Sequence, residues 1–203
     1  ALEELGFTLK HNNSIENPDL EISTYVGSSA GSLIGSYFAA GHGPMDVIES
    51  MIDKKTTKLK PVTYKDMLYI KKRMKKPPRG NNYNPFSEMP FVARKILSPF
   101  LDISGLFSTY GLYKYVTNNV IHSNNFDDFK ADLFVVATQL DHSRKCIFSK
   151  YNYPNPSHDS TASYVTNIPL ADAVAASMSV PPFYCPYPIE RPNSKKVDYY
   201  IDG

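Results

Sequence analysis

A five-residue run between a predicted strand and a predicted helix constrains this chain more than any other feature of its sequence. The run is Gly27-Ser28-Ser29-Ala30-Gly31. It follows a short β-prone stretch at 20–26, and it precedes apolar residues at helical spacing over 30–40. In the G-x-S-x-G turn, a sharp strand-to-helix connection exposes the central serine at the top of a sheet. The run therefore predicts a strand, a tight turn and a helix in succession.

The chemistry of such a turn follows from its sterics. The turn strains the backbone of its central residue, and side chains two positions to either side would collide, so Gly27 and Gly31 leave room. Ser29 then projects its hydroxyl, and the N–H of Ala30 at the helix N-terminus can stabilise an oxyanion. Ser29 is therefore a candidate nucleophile toward an acyl carbonyl. The alternative is a small-residue turn that only packs a helix close to a sheet.

A serine hydroxyl needs a base to act as a nucleophile near neutral pH, and the sequence offers two. Asp141 with His158 satisfies the order serine, acid, histidine of α/β-hydrolases, although His158 lies in polar, loop-like sequence. Asp202 follows a short apolar strand and precedes Gly203, which permits an exposed turn. A rigidly held carboxylate that is partly out of water accepts a proton more readily than a solvated one. The residues by themselves leave both bases open.

The remaining predicted elements mix helices and strands along one chain, which indicates an α/β fold. A helix begins at Pro44, and an amphipathic basic helix is predicted over 64–76. The others are helical pieces within 91–122, a hairpin of strands 132–138 and 145–149, an alanine-rich helix at 170–178 and a last strand at 197–201.

Composition limits the class of protein. The chain has 203 residues, 42% of them hydrophobic and 21% charged, which suits one globular domain of ordinary size or two small ones. No stretch approaches 18 uninterrupted apolar residues, so no membrane span is predicted. Cys146 and Cys185 are far apart and form neither a C-x-x-C pair nor a zinc-ligand set. We expect two free thiols, no metal and no organic cofactor.

The small net charge of +2 hides a strongly basic segment. Residues 54–79 hold 11 of the 22 lysines and arginines and one acid, Asp66, which gives +10 in that segment. The segment is either a solvated face or a contact for an anionic membrane surface. Nucleic acid is not expected as a partner, because only Tyr64 and Tyr69 are interleaved with the charges. The candidate membrane contacts are Lys71, Lys72, Arg73, Lys75 and Lys76.

Three parts of the sequence together resemble the patatin-like phospholipases: the run at 27–31, the stretch from Ala175-Ala176-Ser177 to Pro181-Pro182-Phe183, and Asp202-Gly203. The resemblance implies a three-layer α/β core with a central, mostly parallel sheet flanked by helices. It also implies a Ser-Asp dyad without histidine, in which Ser29 is the nucleophile and Asp202 the base, acting on a lipid substrate. Residues 1–203 are then a single domain, with 54–125 as a variable helical and basic insertion.

The sequence departs from that family at one point. Members carry a glycine-rich oxyanion loop upstream of a helix end similar to residues 1–6, whereas here only Gly6 precedes Gly27. We expect residues before Ala1 in the natural protein, and little activity from this stretch alone. A catalytically inactive membrane-binding module of the same fold is the alternative. The expected location is the cytoplasm or a membrane surface, with secretion as an effector as a further option, and the oligomeric state is not predicted.

Overall fold

The computed structural model describes residues 2–11, 19–52, 59–70, 107–153, 162–191 and 196–203. The strands are β1 (Thr8–Leu9), β2 (Glu21–Ile22), β3 (Thr24–Ser28), β4 (Tyr69–Ile70), β5 (Phe107–Ser108), β6 (Asp132–Gln139), β7 (Arg144–Phe148), β8 (Ala162–Val165), β9 (Tyr187–Glu190) and β10 (Val197–Asp202). The α-helices are α1 (Ala30–Ala39), α2 (Pro44–Ile52), α3 (Tyr64–Met67), α4 (Tyr110–Tyr115) and α5 (Leu170–Ser177). A π-helical turn at Val116–Val120 and 3-10 turns at Glu3–Leu5 and Phe126–Asp128 complete the described elements.

The central sheet is mixed. Its strand order is β8-β7-β6-β10-β9, and β3 also pairs with β6. The β3–β6 and β7–β8 pairs are parallel, whereas β6–β7, β6–β10 and β9–β10 are antiparallel. The expectation of a mostly parallel sheet is therefore wrong. The tight turn at 140–143 reverses the chain between β6 and β7, so these two strands are antiparallel. A parallel pair would need a long crossover connection between its strands.

One face of the sheet carries the core. On β6 the buried side chains are those of Leu133, Val135, Ala137 and Gln139, and they alternate with partly exposed ones. Helix α1 packs closely on this face, since a β-carbon on Gly35 would lie 3.0 Å from Leu133 Cδ1. On the opposite face Val26 is 70% exposed. Among the described residues, the fully buried side chains of β6 therefore lie on one face of the sheet.

Several predicted elements are confirmed: the helix after the serine turn, the helix from Pro44, the hairpin of β6 and β7, the alanine-rich helix and the last strand. The prediction of one basic helix over 64–76 is wrong. The helix begins after Thr63, which forms a capping box with Asp66, and it ends at Met67 after one turn. Tyr69–Ile70 then pairs with Phe107–Ser108 as a two-stranded antiparallel ribbon. Among the described helices, none has the length and apolarity that crossing a bilayer requires.

Candidate active site

Strand β6 brings two distant parts of the chain together. Strand β3 runs parallel to β6 and ends with Ser28 opposite Val136. Strand β10 runs antiparallel to β6 and ends with Asp202 opposite Ala137. Because β7 occupies the other edge of β6, the two strands approach each other end to end along one edge. The two strands therefore meet between two consecutive residues of β6, Val136 and Ala137, with Ser28 at the end of one strand and Asp202 at the end of the other.

The turn after β3 has the strained backbone that its sequence predicts. Ser29 has φ 52° and ψ −128°, which places a residue with a β-carbon in the region that favours glycine. A β-carbon on Gly27 would lie 2.3 Å from the carbonyl oxygen of Gly31, so only glycine fits at position 27. The predicted role of Gly31 is wrong, since a β-carbon there would have nothing within 4 Å among the described atoms. Of the two glycines, only Gly27 lies where an added β-carbon would collide with the turn.

The Ser29 side chain remains available for chemistry. Ser29 precedes α1 as its N-cap, yet its hydroxyl makes no capping hydrogen bond. Ser29 is half-buried, and Ala30 and Gly31 are exposed at the first turn of the helix. The N–H of Ala30 lies at the positive end of the α1 dipole, where a negative oxygen is stabilised.

Two other serines hold the Ser29 backbone from both sides. The N–H of Ser29 donates to Ser177 Oγ at 2.9 Å, and Ser177 Oγ donates to the carbonyl oxygen of Val136 at 2.6 Å. The carbonyl oxygen of Ser29 accepts from the hydroxyl and the N–H of Ser32 at 2.6 Å and 2.9 Å. Sequence reasoning assigned no role to Ser177 or Ser32. Their only sequence signal is that polar residues stand among the small residues of two buried helices.

Asp202 is held by its backbone and has a free carboxylate oxygen. Its N–H donates to the carbonyl oxygen of Ser179 at 3.1 Å. Its Oδ2 is buried and has no hydrogen-bond partner among the described residues. A buried carboxylate oxygen without a partner is unusual, because burial of a polar atom costs free energy unless a hydrogen bond compensates. This oxygen can accept a proton or a hydrogen bond from a group that enters the site.

Gly203 closes the gap between the two strand ends. Its backbone oxygen accepts a hydrogen bond from Ser28 Oγ at 2.7 Å, across a sequence separation of 175 residues. A β-carbon on Gly203 would lie 2.5 Å from the carbonyl oxygen of Val136. The sequence predicts glycine here for a turn, whereas the structure requires it for a close approach to β6.

The comparison with protein families identifies the family of the chain. A family model described as patatin-like phospholipase matches residues 8–203. The chain belongs to the patatin-like phospholipase family. Membership makes it a lipid hydrolase in the general sense of that family. The mixed sheet and its helices are consistent with the fold of the family. None of the curated proteins compared with the chain matches it.

The histidine-dependent alternative has less support in this patatin-like domain. His158 lies outside the described residues. Asp141 lies in the turn beyond the end of β6, where its carboxylate accepts a hydrogen bond from the N–H of Tyr199 at 3.1 Å. His142 contacts Arg191 through its Nε2 at 3.3 Å. Asp202, in contrast, lies at the level where the serine turn begins.

Only some of the other predicted site residues of the domain are among the described residues. The candidate membrane contacts Lys71, Lys72, Arg73, Lys75 and Lys76 lie outside the described residues. Cys146 and Cys185 are buried free thiols. In the part of the chain that the structure describes, no group of three or more histidine, cysteine, aspartate or glutamate residues could hold a metal ion.

Proposed function

We propose that this patatin-like phospholipase cleaves ester bonds of phospholipids or other membrane lipids through Ser29 and Asp202. The observation that carries the proposal is the end-to-end approach of β3 and β10 on β6, with Ser28 and Asp202 opposite consecutive residues. The strained backbone of Ser29 and the unpartnered Oδ2 of Asp202 support it further. Strain and an uncompensated buried polar atom both cost stability, and both are typical of functional sites.

The proposed first step forms an acyl-enzyme. Ser29 Oγ attacks the acyl carbonyl carbon of the lipid while Asp202 takes the hydroxyl proton. The carbonyl oxygen becomes an oxyanion, which the N–H of Ala30 and the α1 dipole stabilise. The tetrahedral intermediate then collapses, the ester bond breaks, and the leaving alcohol takes the proton from Asp202.

The second step regenerates the enzyme. A water molecule attacks the acyl carbon as Asp202 takes one of its protons, and the bond to Ser29 Oγ breaks. The proton returns to Ser29, and the fatty acid leaves. One carboxylate therefore serves as base and then as acid in each of the two steps, and no histidine takes part.

We also propose that the basic segment brings the enzyme to an anionic membrane surface. Each lysine or arginine near such a surface contributes about 1 kcal/mol, so Lys71, Lys72, Arg73, Lys75 and Lys76 together would hold the protein there. This supports a peripheral-membrane or cytoplasmic location. Cosedimentation with vesicles of increasing anionic lipid content tests the proposal against a variant with these five residues changed to glutamine. Binding that ignores the anionic fraction contradicts it.

The test of the activity is hydrolysis of a phospholipid and neutral-lipid panel by the full-length protein. We expect turnover by the wild type and its loss in Ser29→Ala and Asp202→Asn. A Ser-His-Asp hydrolase instead requires that His158→Ala abolish turnover while Asp202→Asn retains it. An inactive membrane-binding module gives no turnover in any of these proteins, including the wild type.

A further inference from the structure

The strained nucleophile turn is anchored by one buried hydroxyl from a distant helix. Ser177, at the end of α5, is 0% exposed and lies 148 residues from Ser29 in sequence. Its oxygen accepts the Ser29 N–H and donates to the carbonyl oxygen of Val136. We propose that Ser177 is a positioning residue, which holds Ser29 in the backbone conformation needed for attack. The inference rests on the proposed function, because it gives Ser177 a role in that same site.

The backbone geometry explains why such an anchor is needed. A non-glycine residue at φ 52° persists only where its surroundings over-determine it. Relaxation of Ser29 to an ordinary negative φ requires the peptide groups on its two sides to rotate relative to each other about its N–Cα bond, and Ser177 fixes the peptide group that carries its N–H. Ser32 holds the carbonyl side from within the same helix. Ser177 supplies the long-range contact of the two, since its hydroxyl links the turn to Val136 of β6.

The same helix end also reaches the candidate base. Two residues after Ser177, the carbonyl oxygen of Ser179 accepts the N–H of Asp202. Val136, which accepts from Ser177, is opposite Ser28 and in close approach to Gly203. The end of α5 therefore fixes both strand ends relative to β6. Loss of the Ser177 hydroxyl releases the nucleophile side of this arrangement and leaves the Ser179 backbone contact in place.

The chain offers a matched control for the loss of such a hydroxyl. Ser149 is 1% exposed, and its oxygen also accepts one backbone N–H and donates to one backbone carbonyl, both of Tyr151. It follows β7, and its described hydrogen bonds go to Tyr151 and to the carbonyl oxygen of Val165, which lie outside the two strand ends of the site. Ser177→Ala and Ser149→Ala therefore remove the same kind of buried hydroxyl in two different places.

The experiment measures how fast a fluorophosphonate probe labels Ser29 in the full-length protein, together with kcat, KM and thermal unfolding. We expect Ser177→Ala to be labelled on the order of tenfold more slowly, with a similar loss in kcat and little change in KM. Ser149→Ala is expected to be labelled at the wild-type rate, although its unfolding temperature falls too. Ser177→Cys keeps a weak acceptor at the position, so its labelling rate is expected to lie between those of Ser177→Ala and the wild type.

The outcomes separate this inference from the proposed function. If the wild type is not labelled at Ser29, both fail. If the wild type is labelled and Ser177→Ala is labelled at the same rate per folded molecule, only the positioning role fails. If Ser177→Ala does not fold, Ser177→Cys decides by the same comparison, and a wild-type rate there overturns the inference.

Discussion

Gly27 approaches Gly31 so closely that a β-carbon at position 27 would lie 2.3 Å from the carbonyl oxygen at position 31. The reverse does not hold, because a β-carbon on Gly31 would have nothing within 4 Å among the described atoms. The two glycines of the serine turn are therefore unequal. The first is a steric requirement of the turn, and the second lies at an exposed position of α1.

This inequality predicts that substitution by alanine has different effects on stability at positions 27 and 31. Gly27→Ala forces the turn apart and is expected to cost about 1–3 kcal/mol of unfolding free energy, as overpacking does elsewhere. Gly31→Ala is expected to be neutral or to stabilise the domain by at most about 1 kcal/mol, since alanine favours helix. Denaturant unfolding of the two variants checks the prediction. Equal stabilities would contradict the steric account of the turn.

The strain at Ser29 predicts a difference between two inactive variants. Ser29→Gly removes the β-carbon that is unfavourable at φ 52°, whereas Ser29→Ala retains it. We expect the glycine variant to be more stable than the alanine variant by about 1 kcal/mol, measured by denaturant unfolding, although neither hydrolyses lipid. A more stable alanine variant would mean that the turn carries no strain.

The unpartnered oxygen of Asp202 predicts a separation of stability from activity. Asp202→Asn keeps the shape of the side chain and removes a charge whose Oδ2 is buried without compensation. Unfolding free energy is expected to stay within about 1 kcal/mol of the wild type or to rise. The rate of lipid hydrolysis is expected to fall by about 10²–10⁴, the range for loss of a general base. A variant that is unstable and also retains its activity per folded molecule would assign Asp202 a structural role.

Burial of Cys146 predicts loss of stability in alkali. Burial raises the pKa of this thiol from 9.0 to about 12, against a smaller opposing effect of its hydrogen bond with Tyr200. Between these values the unfolded thiol loses its proton while the folded one keeps it, so stability falls as pH rises above about 9. The slope from this group is at most about 1.4 kcal/mol per pH unit.

The measurement for Cys146 compares the wild type with Cys146→Ala, which lacks the titrating group. Below about pH 9 the gap in unfolding free energy is expected to be constant. Above it, the gap is expected to narrow, because only the wild type loses this contribution. A gap that stays constant up to about pH 11 contradicts the prediction.

Local features of the site could be predicted from sequence because adjacent residues determine them. The turn at 27–31 and helix α1 depend on glycines, small residues and helical spacing within one short stretch. The hairpin of β6 and β7 likewise depends on two β-prone runs and the turn between them. In each case local preference and the tertiary structure agree.

Non-local pairing could not be predicted in this way. The helix expected over 64–76 is interrupted because Tyr69–Ile70 pairs with Phe107–Ser108, a partner far along the chain. The same holds for the register that sets Ser28 and Asp202 opposite consecutive residues of β6. No spacing in the sequence signals that Ser177 accepts the Ser29 N–H, since that bond depends on how α5 packs.

The most direct test of the Ser29–Asp202 account is to map a fluorophosphonate label by mass spectrometry in the full-length wild type and in Asp202→Asn. The account predicts that the label lies on Ser29 in the wild type and that Asp202→Asn, while fully folded, is labelled at least about a hundredfold more slowly. A label on another residue, or equal labelling rates in the two proteins, would contradict it.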